Sequence, residues 1–142
     1  MSRTLIGLIA LLSSCISAKG GDDTASIPSD LSACEADPSR VVSVGNASIT
    51  GDTLSLEVSY GGGCEAHHFT LCWPDQTFME SAPVQVNLEV LDQGEPDYCD
   101  AYMTEGVSFD LTELKLRYQS SYATTNGVIT VHVDGETVEY SF

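Results

Sequence analysis

Apolar and polar residues alternate with a period of two through most of the chain from Val41 onward. Leu54, Leu56, Val58 and Tyr60 share one parity, with Thr53, Ser55, Glu57 and Ser59 on the other. Phe69, Leu71 and Trp73 make the next apolar face. Val84, Val86, Leu88 and Val90 make another, opposed by Gln85, Asn87 and Glu89. Val107 and Phe109 begin a further strand, followed by Ile129, Val131 and Val133, then Val138, Tyr140 and Phe142. Successive side chains of a strand point to opposite faces, so this spacing predicts strands with one buried face each.

Two turns test the register. Asp134-Gly135 is a dipeptide that two-residue hairpins favour. It sets Val133 opposite Glu136, Val131 opposite Val138 and Ile129 opposite Tyr140, so the apolar faces coincide. Gly51-Asp52 does the same for Ile49 with Leu54 and Ala47 with Leu56. A slip of one residue would turn each face over. Between the strands, Asp110 can cap a helix and Glu113 stands three residues on, in capping-box position. Leu114 and Tyr118 then share a helical face. One or two helical turns are expected there, with Asn126-Gly127 turning the chain back. The expected fold is all-β: an antiparallel sandwich of about seven strands, immunoglobulin-like in its layers, with one short helix. No repeat or second domain is visible.

The start of the chain follows a different rule. Arg3 precedes the apolar residues 5–12, interrupted only by Gly7. That stretch is well short of the roughly 20 apolar residues a spanning helix needs, and it reads as a secretory signal. Leu12-Ser13-Ser14-Cys15 resembles the lipobox of bacterial lipoproteins. The resemblance implies cleavage before Cys15 and acylation of its thiol, palmitate being one such chain. Residues 1–14 are then the signal, 15–33 a lipidated flexible tether, and 34–142 the β-sandwich domain. Ile16, rather than an aspartate, follows the cysteine, and by the same resemblance points to the outer membrane. The acyl chains on Cys15 would hold the protein to a membrane, each buried methylene contributing about 0.8 kcal/mol.

Charge narrows the partners. The chain carries 21 acidic and five basic residues, a formal charge of −16. That balance repels phosphate backbones, which argues against nucleic acid as a partner. It also repels anionic head groups, so attachment falls to the acyl anchor. An envelope protein or another ligand remains as the partner.

Four cysteines follow Cys15: Cys34, Cys64, Cys72 and Cys99. An even number in an exported chain suggests two disulfides. Cys64 and Cys72 flank a run that reads as one strand. Eight extended residues span roughly 26 Å, whereas a disulfide needs Cα atoms about 4.4–6.8 Å apart. That disfavours pairing them with each other. Of the two remaining arrangements, Cys34–Cys72 with Cys64–Cys99 is preferred. Cys72 shares the outward parity of His68 and Thr70, where an irregular segment carrying Cys34 can lie over it. Cys64, after three glycines, can meet the long loop that carries Cys99.

The stretch Gly62-Gly63-Cys64-Glu65-Ala66-His67-His68-Phe69-Thr70-Leu71 has the form Gly-Gly-Cys-x-x-His-x-Phe-x-Leu. Pro83-Val84-Gln85-Val86-Asn87-Leu88, Asp97-Tyr98-Cys99-Asp100-Ala101 and Ser108-Phe109-Asp110-Leu111 follow in order. Together they resemble the C-terminal domain of NigD-like lipoproteins and short lipoproteins of myxobacterial type, over residues 60–116. The N-terminal β-barrel domain of longer members is not expected here. The resemblance implies a fold and an address, and it carries no settled activity.

Candidate chemistry is sparse. His67 shares the parity of Phe69 and should point inward, as a neutral histidine satisfied by backbone or a hydroxyl. The alternative role is a metal ligand, which for zinc would require further converging Cys or His. His68 and His132 should face solvent. Asp92, Glu95, Asp97 and Asp100 concentrate oxygen ligands of the type calcium takes, without EF-hand spacing. A solvated acidic loop is the expected reading. Gly61-Gly62-Gly63 lacks the following helix and the Lys-Ser/Thr pair of a phosphate loop, and reads as a bend that sets Cys64. Trp73, ending a strand before Pro74-Asp75, reads as a lid on the core rather than a carbohydrate platform. No catalytic spacing is recognisable and no cofactor is expected. The resulting expectation is a membrane-anchored envelope lipoprotein with a non-enzymatic binding or interaction domain. A metal-binding module is the alternative, and a small exported hydrolase ranks third.

Overall fold

The computed structural model describes Leu31, Cys34 and residues 42–142. The signal, Cys15 and nearly all of the expected tether lie outside the described residues. Seven strands and one helix follow in the order β1 (Ser43–Thr50), β2 (Thr53–Gly62), β3 (Phe69–Cys72), β4 (Val84–Asp92), β5 (Ala101–Asp110), α1 (Thr112–Tyr122), β6 (Val128–Val133) and β7 (Glu136–Ser141). They form two sheets, β1-β2-β5 and β3-β4-β6-β7. The protein is an all-β sandwich with one helix. β1 lies against β7 and β3 against β5, so the sheets stack edge over edge.

Alternation decides which side chains meet between the sheets. Leu54, Leu56 and Val58 of β2, Val86, Leu88 and Val90 of β4, Phe109 of β5 and Ile129, Val131 and Val133 of β6 are all buried in one core. Leu31 belongs to it as well, so the packed domain reaches back at least that far. Asp134-Gly135 makes the hairpin whose register the sequence implies, with Val131 opposite Val138 and Ile129 opposite Tyr140.

Four expectations are revised. The sandwich is not wholly antiparallel, because β4 and β6 are parallel neighbours. The chain leaves β4, crosses to the other sheet for β5, and returns through α1 to start β6 beside the start of β4. Parallel neighbours require such a crossover. At the first hairpin Ile49 does face Leu54, but the register shifts between Gly45 and Ser48, where Asn46 has φ 52°. Ala47 and Leu56 are therefore not a ladder pair. β5 begins at Ala101, well before Val107, because its first half is exposed on both faces and carries no apolar alternation. Finally, α1 has 11 residues rather than one or two turns. Asp110 Oδ1 accepts from Thr112 N–H at 2.8 Å, while Glu113 turns away from the cap to meet Arg117.

α1 is held from one side by a single turn. Asp52, between β1 and β2, accepts from Lys115 Nζ and, at 2.7 Å, from the Tyr140 hydroxyl, while its carbonyl accepts from Leu111 N–H at 2.8 Å. Leu114 is the buried anchor of the helix. Tyr118 packs edge-on against Phe78 and Phe142, and a side chain at Gly127 would strike its ring at 2.3 Å. Glycine is needed there for space.

Leu114→Ala should therefore cost about 2–5 kcal/mol, the range for emptying a buried leucine site. Leu116→Ala, two residues away but 57% exposed, should stay within about 0.5 kcal/mol. Denaturant unfolding of both variants with the disulfides intact measures the difference, and equal effects would contradict this placement of the helix.

Candidate functional site

The chain crosses between the sheets twice at the same end of the sandwich. After β2 it passes through residues 63–68 to β3, and after β4 it returns through residues 93–100 to β5. Both crossings are irregular, so their backbone groups have no ladder to satisfy them. Asp97 supplies the acceptor. Its Oδ2 accepts from the N–H groups of Gly63, Cys64 and Glu65 at 2.6, 2.7 and 2.9 Å, and its Oδ1 from Cys99 N–H at 2.9 Å. Successive N–H groups pointing into one concavity form an anion nest without any helix. The glycine run is thus an anion cradle after all, and the anion is the protein's own carboxylate. A Cβ on Gly62 (φ 137°) would lie 2.7 Å from Asp97 Oδ2, so the close approach requires glycine.

His67 completes the cluster. Its Nδ1 lies 2.5 Å from Asp92 Oδ2 and its Nε2 3.5 Å from Asp97 Oδ2. The Tyr60 ring packs on it with centroids 4.2 Å apart. Its side chain is 5% exposed, as inward parity implies. It is not satisfied by backbone or hydroxyl, however. The hydrogen bond it donates to Asp92 raises its pKa from the ordinary histidine value, against the opposing effect of burial, and Asp97 adds to the rise. Asp97 is held far below the usual carboxylate range, chiefly by the N–H of Glu65 and then of Cys99. Burial and Glu105, whose carboxylate accepts from the hydroxyl, push Tyr60 upward.

The disulfides frame this arrangement. Cys64 is joined to Cys99, with Cα atoms 6.0 Å apart, so covalent bond and nest tie the same two crossings. Cys34 is joined to Cys72 at 5.8 Å. This is the preferred pairing, but one premise behind it changes. Cys64 and Cys72 do not flank a single strand, because β3 starts only at Phe69. Cys72 is nevertheless buried.

The acidic loop does not gather into a ligand shell. Asp97 is engaged by four backbone groups, and Asp92 by His67 and, at 2.8 Å, by Gly94 N–H. Glu95 and Asp100 are exposed. Among the described residues, one set of potential metal ligands lies close together: Cys64, Asp97 and Cys99. Its two sulfurs are bonded to each other, whereas a metal takes thiolates. His68 is exposed. His132 is half-buried, its Nε2 2.8 Å from Gln85 Oε1 and its Nδ1 3.0 Å from the Thr137 hydroxyl.

The sequence points to a second site only through Trp73. At the opposite end, the segment between β3 and β4 faces α1 across a groove of about 590 Å³. Trp73 lies at its base, 1% exposed and so part of the core as expected. Its indole N–H is buried and has no acceptor among the described residues. The Arg117 guanidinium lies over the ring, 5.6 Å from the centroid, and is held by Glu113 Oε1 through Nε at 3.0 Å and Nη2 at 2.6 Å. The Tyr122 hydroxyl donates to Glu80 Oε1 at 2.7 Å across the groove. Burial, then this bond, pushes Tyr122 up to about 12. The lining residues are separated by some forty positions, and residues 74–82 have no periodicity that would flag them. A lone tryptophan beside a polar, non-alternating stretch was the available signal.

No protein-family model matches the chain, and neither does any curated protein. The NigD-like resemblance therefore rests on its spaced residues. Three solved structures are similar in fold. One is a candidate toxin-related protein from Parabacteroides distasonis, 21% identical, with a TM-score of 0.42, covering 72% of this chain and 50% of that one. Another is a protein of unknown function from Bacteroides vulgatus, 15% identical, TM-score 0.42, covering 72% and 47%. The third is a candidate lipoprotein from Bacteroides fragilis, 14% identical, TM-score 0.49, covering 83% and 68%. The chain spans about half the length of the first two.

The charge cluster sets a pH window. Asp97, with its lowered pKa, contributes stability that is complete above about pH 4 and lost as pH falls through the lowered value. His67, with its raised pKa, contributes stability that is complete below about pH 6.5 and lost as pH rises through the raised value. Melting temperature should therefore decline on the alkaline side of that window, and His67→Gln should flatten the decline. Asp97→Asn should lower the melting temperature throughout and flatten the acid limb. Differential scanning calorimetry across the range tests both, and an unchanged alkaline slope in His67→Gln would assign it to another group.

Proposed function

We propose that this chain is a bacterial envelope lipoprotein, held to the outer membrane by acyl chains on Cys15, and that its β-sandwich binds a ligand or partner without catalysing a reaction. The lipobox-like Leu12-Ser13-Ser14-Cys15 supports the anchor. Among the described residues no helix is long and apolar enough to cross a membrane. The observation that carries the binding reading is the groove beside α1, within the roughly 300–1,000 Å³ typical of ligand sites. It holds aromatic rings, donors and acceptors, but no nucleophile paired with a base. We read the His67 cluster as a brace, since Nδ1 meets Asp92 and Nε2, which makes no hydrogen bond, is buried 3.5 Å from Asp97 Oδ2.

The anchor and the groove are tested separately. Cys15→Ala should block processing or release the protein from membranes on fractionation, and a processed, membrane-bound variant would remove the lipoprotein reading. For the groove, a compound that binds it should raise the melting temperature of the parent and not of Ser120→Tyr, which fills the space beside α1. At 100 times its dissociation constant such a compound adds about 2.7 kcal/mol. A broad compound library in which none separates the two proteins would count against the groove as a binding site.

A further inference from the structure

Resting on the reading of the groove as the binding site, we infer that its ligand is an uncharged saccharide. The wall chemistry is the first argument. Gln76, Thr77 and Ser120 offer amide and hydroxyl groups, and Phe78 and Tyr122 offer half-buried ring surface between them. A polyhydroxylated ring presents those same two surfaces, hydroxyl edges and apolar C–H faces.

Charge is the second argument. Arg117 is neutralised by Glu113 through two of its nitrogens, and Glu80 stands opposite it, bonded to Tyr122. No unopposed cation is left to select a carboxylate or phosphate. Arg117 Nη1 has no partner among the described residues and serves as a donor to a neutral oxygen.

The third argument is shape. The groove is open along one side and built from loop and helix side chains. It has no strand edge on which an extended peptide could add its main chain, and no enclosed apolar pocket to desolvate a greasy group. An open, polar trough suits a ligand that stays partly hydrated.

Two features mark the groove as built for recognition. The buried Trp73 N–H lacks an acceptor at its base, and buried donors are nearly always satisfied. Gln76 also holds φ 49°, in the left-handed region that glutamine seldom adopts. Gln76 is exposed and lines the groove. Strain of this kind gathers at ligand-holding positions.

The chain has one tryptophan, so a single indole N–H resonance reports on the groove. The experiment uses the processed full-length lipoprotein, labelled on tryptophan nitrogen, in a detergent without a sugar head group. It is titrated with trisaccharides of glucose, mannose, xylose and N-acetylglucosamine, and separately with acetate, inorganic phosphate and trialanine. The expected result is a saturable shift of the indole resonance with at least one trisaccharide. Gln76→Ala should weaken that binding roughly tenfold, the effect of about one lost hydrogen bond, and Ser120→Tyr should abolish it. Both residues are exposed, so the fold should tolerate the changes. Saturable shifts with acetate, phosphate or trialanine and none with any sugar would overturn the saccharide inference while leaving the groove a binding site. Sugar binding undiminished in both variants would place the sugar elsewhere and also overturn the inference. Silence with every probe would count against the inference and the binding reading together.

Discussion

The Asp97 carboxylate is the interaction on which this sandwich turns. Two sheets stay in register only if the segments crossing between them are fixed, and both crossings after β2 and β4 occur at one end. Neither forms a ladder, so the backbone N–H groups of both crossings must find acceptors elsewhere. One carboxylate answers four of them. The cost of holding it at 1% exposure in a strongly acidic chain is offset by those donors. The Cys64–Cys99 bridge, closing a loop of 35 residues, limits how far the crossings could separate in the unfolded chain. In the chain-entropy view that is worth roughly 3–4 kcal/mol. Disulfide and nest act on different states: the first restricts the unfolded ensemble, the second satisfies the native one.

The opposite end is organised by another aspartate with a different result. Asp52 gathers a turn, the start of α1 and the end of β7 through Leu111, Lys115 and Tyr140. That fixes the helix along the side facing the turn and leaves its other side free to form the groove. At the crossing end the backbone donors are spent on Asp97, and His67 Nε2 is buried without a hydrogen bond. At the helix end an indole donor has no acceptor and the walls stay open. If the groove is the binding site proposed above, the braced end supplies rigid support and the helix end the unspent hydrogen-bonding groups.

The strands legible in the sequence are those with one buried face, because burial imposes the period. β2, β4, β6 and β7 were readable for this reason, as was the Asp134-Gly135 register. The first half of β5 was not, since Tyr102, Met103 and Thr104 are exposed on both faces and nothing constrains their order. The parallel contact of β4 with β6 was also hidden. Alternation records which face is buried and not which neighbour lies alongside. The extent of α1 was underestimated because Leu114 is its one buried residue, so it carries little apolar stripe. At the site level, the cysteine pairing followed from parity, whereas the partners of His67 could not. Asp92 and Asp97 lie 25 or more positions away, and only the β3–β4 pairing of Phe69 with Asp92 brings them to the histidine.

The His67 cluster also shows why a perturbed titration is weak evidence of catalysis when taken alone. A histidine raised by one carboxylate and a second carboxylate driven far down are features shared by reaction centres and by ion-pair braces. What separates the cases is unspent capacity. A catalytic base must keep one ring nitrogen within reach of a substrate proton. Here Nδ1 is taken by Asp92, Nε2 is buried toward Asp97, and the Asp97 oxygens are filled by backbone donors. The one ring nitrogen without a hydrogen bond, Nε2, is buried 3.5 Å from Asp97, so the cluster's engaged atoms hold the two crossings together. The groove beside α1 differs: its one cation, Arg117, is already paired with Glu113, and its unmet hydrogen bonds belong to groups that do not titrate near neutral pH. On the proposed binding reading, unmet neutral donors beside a cation that is already paired disfavour an anion and suit a neutral polar ligand.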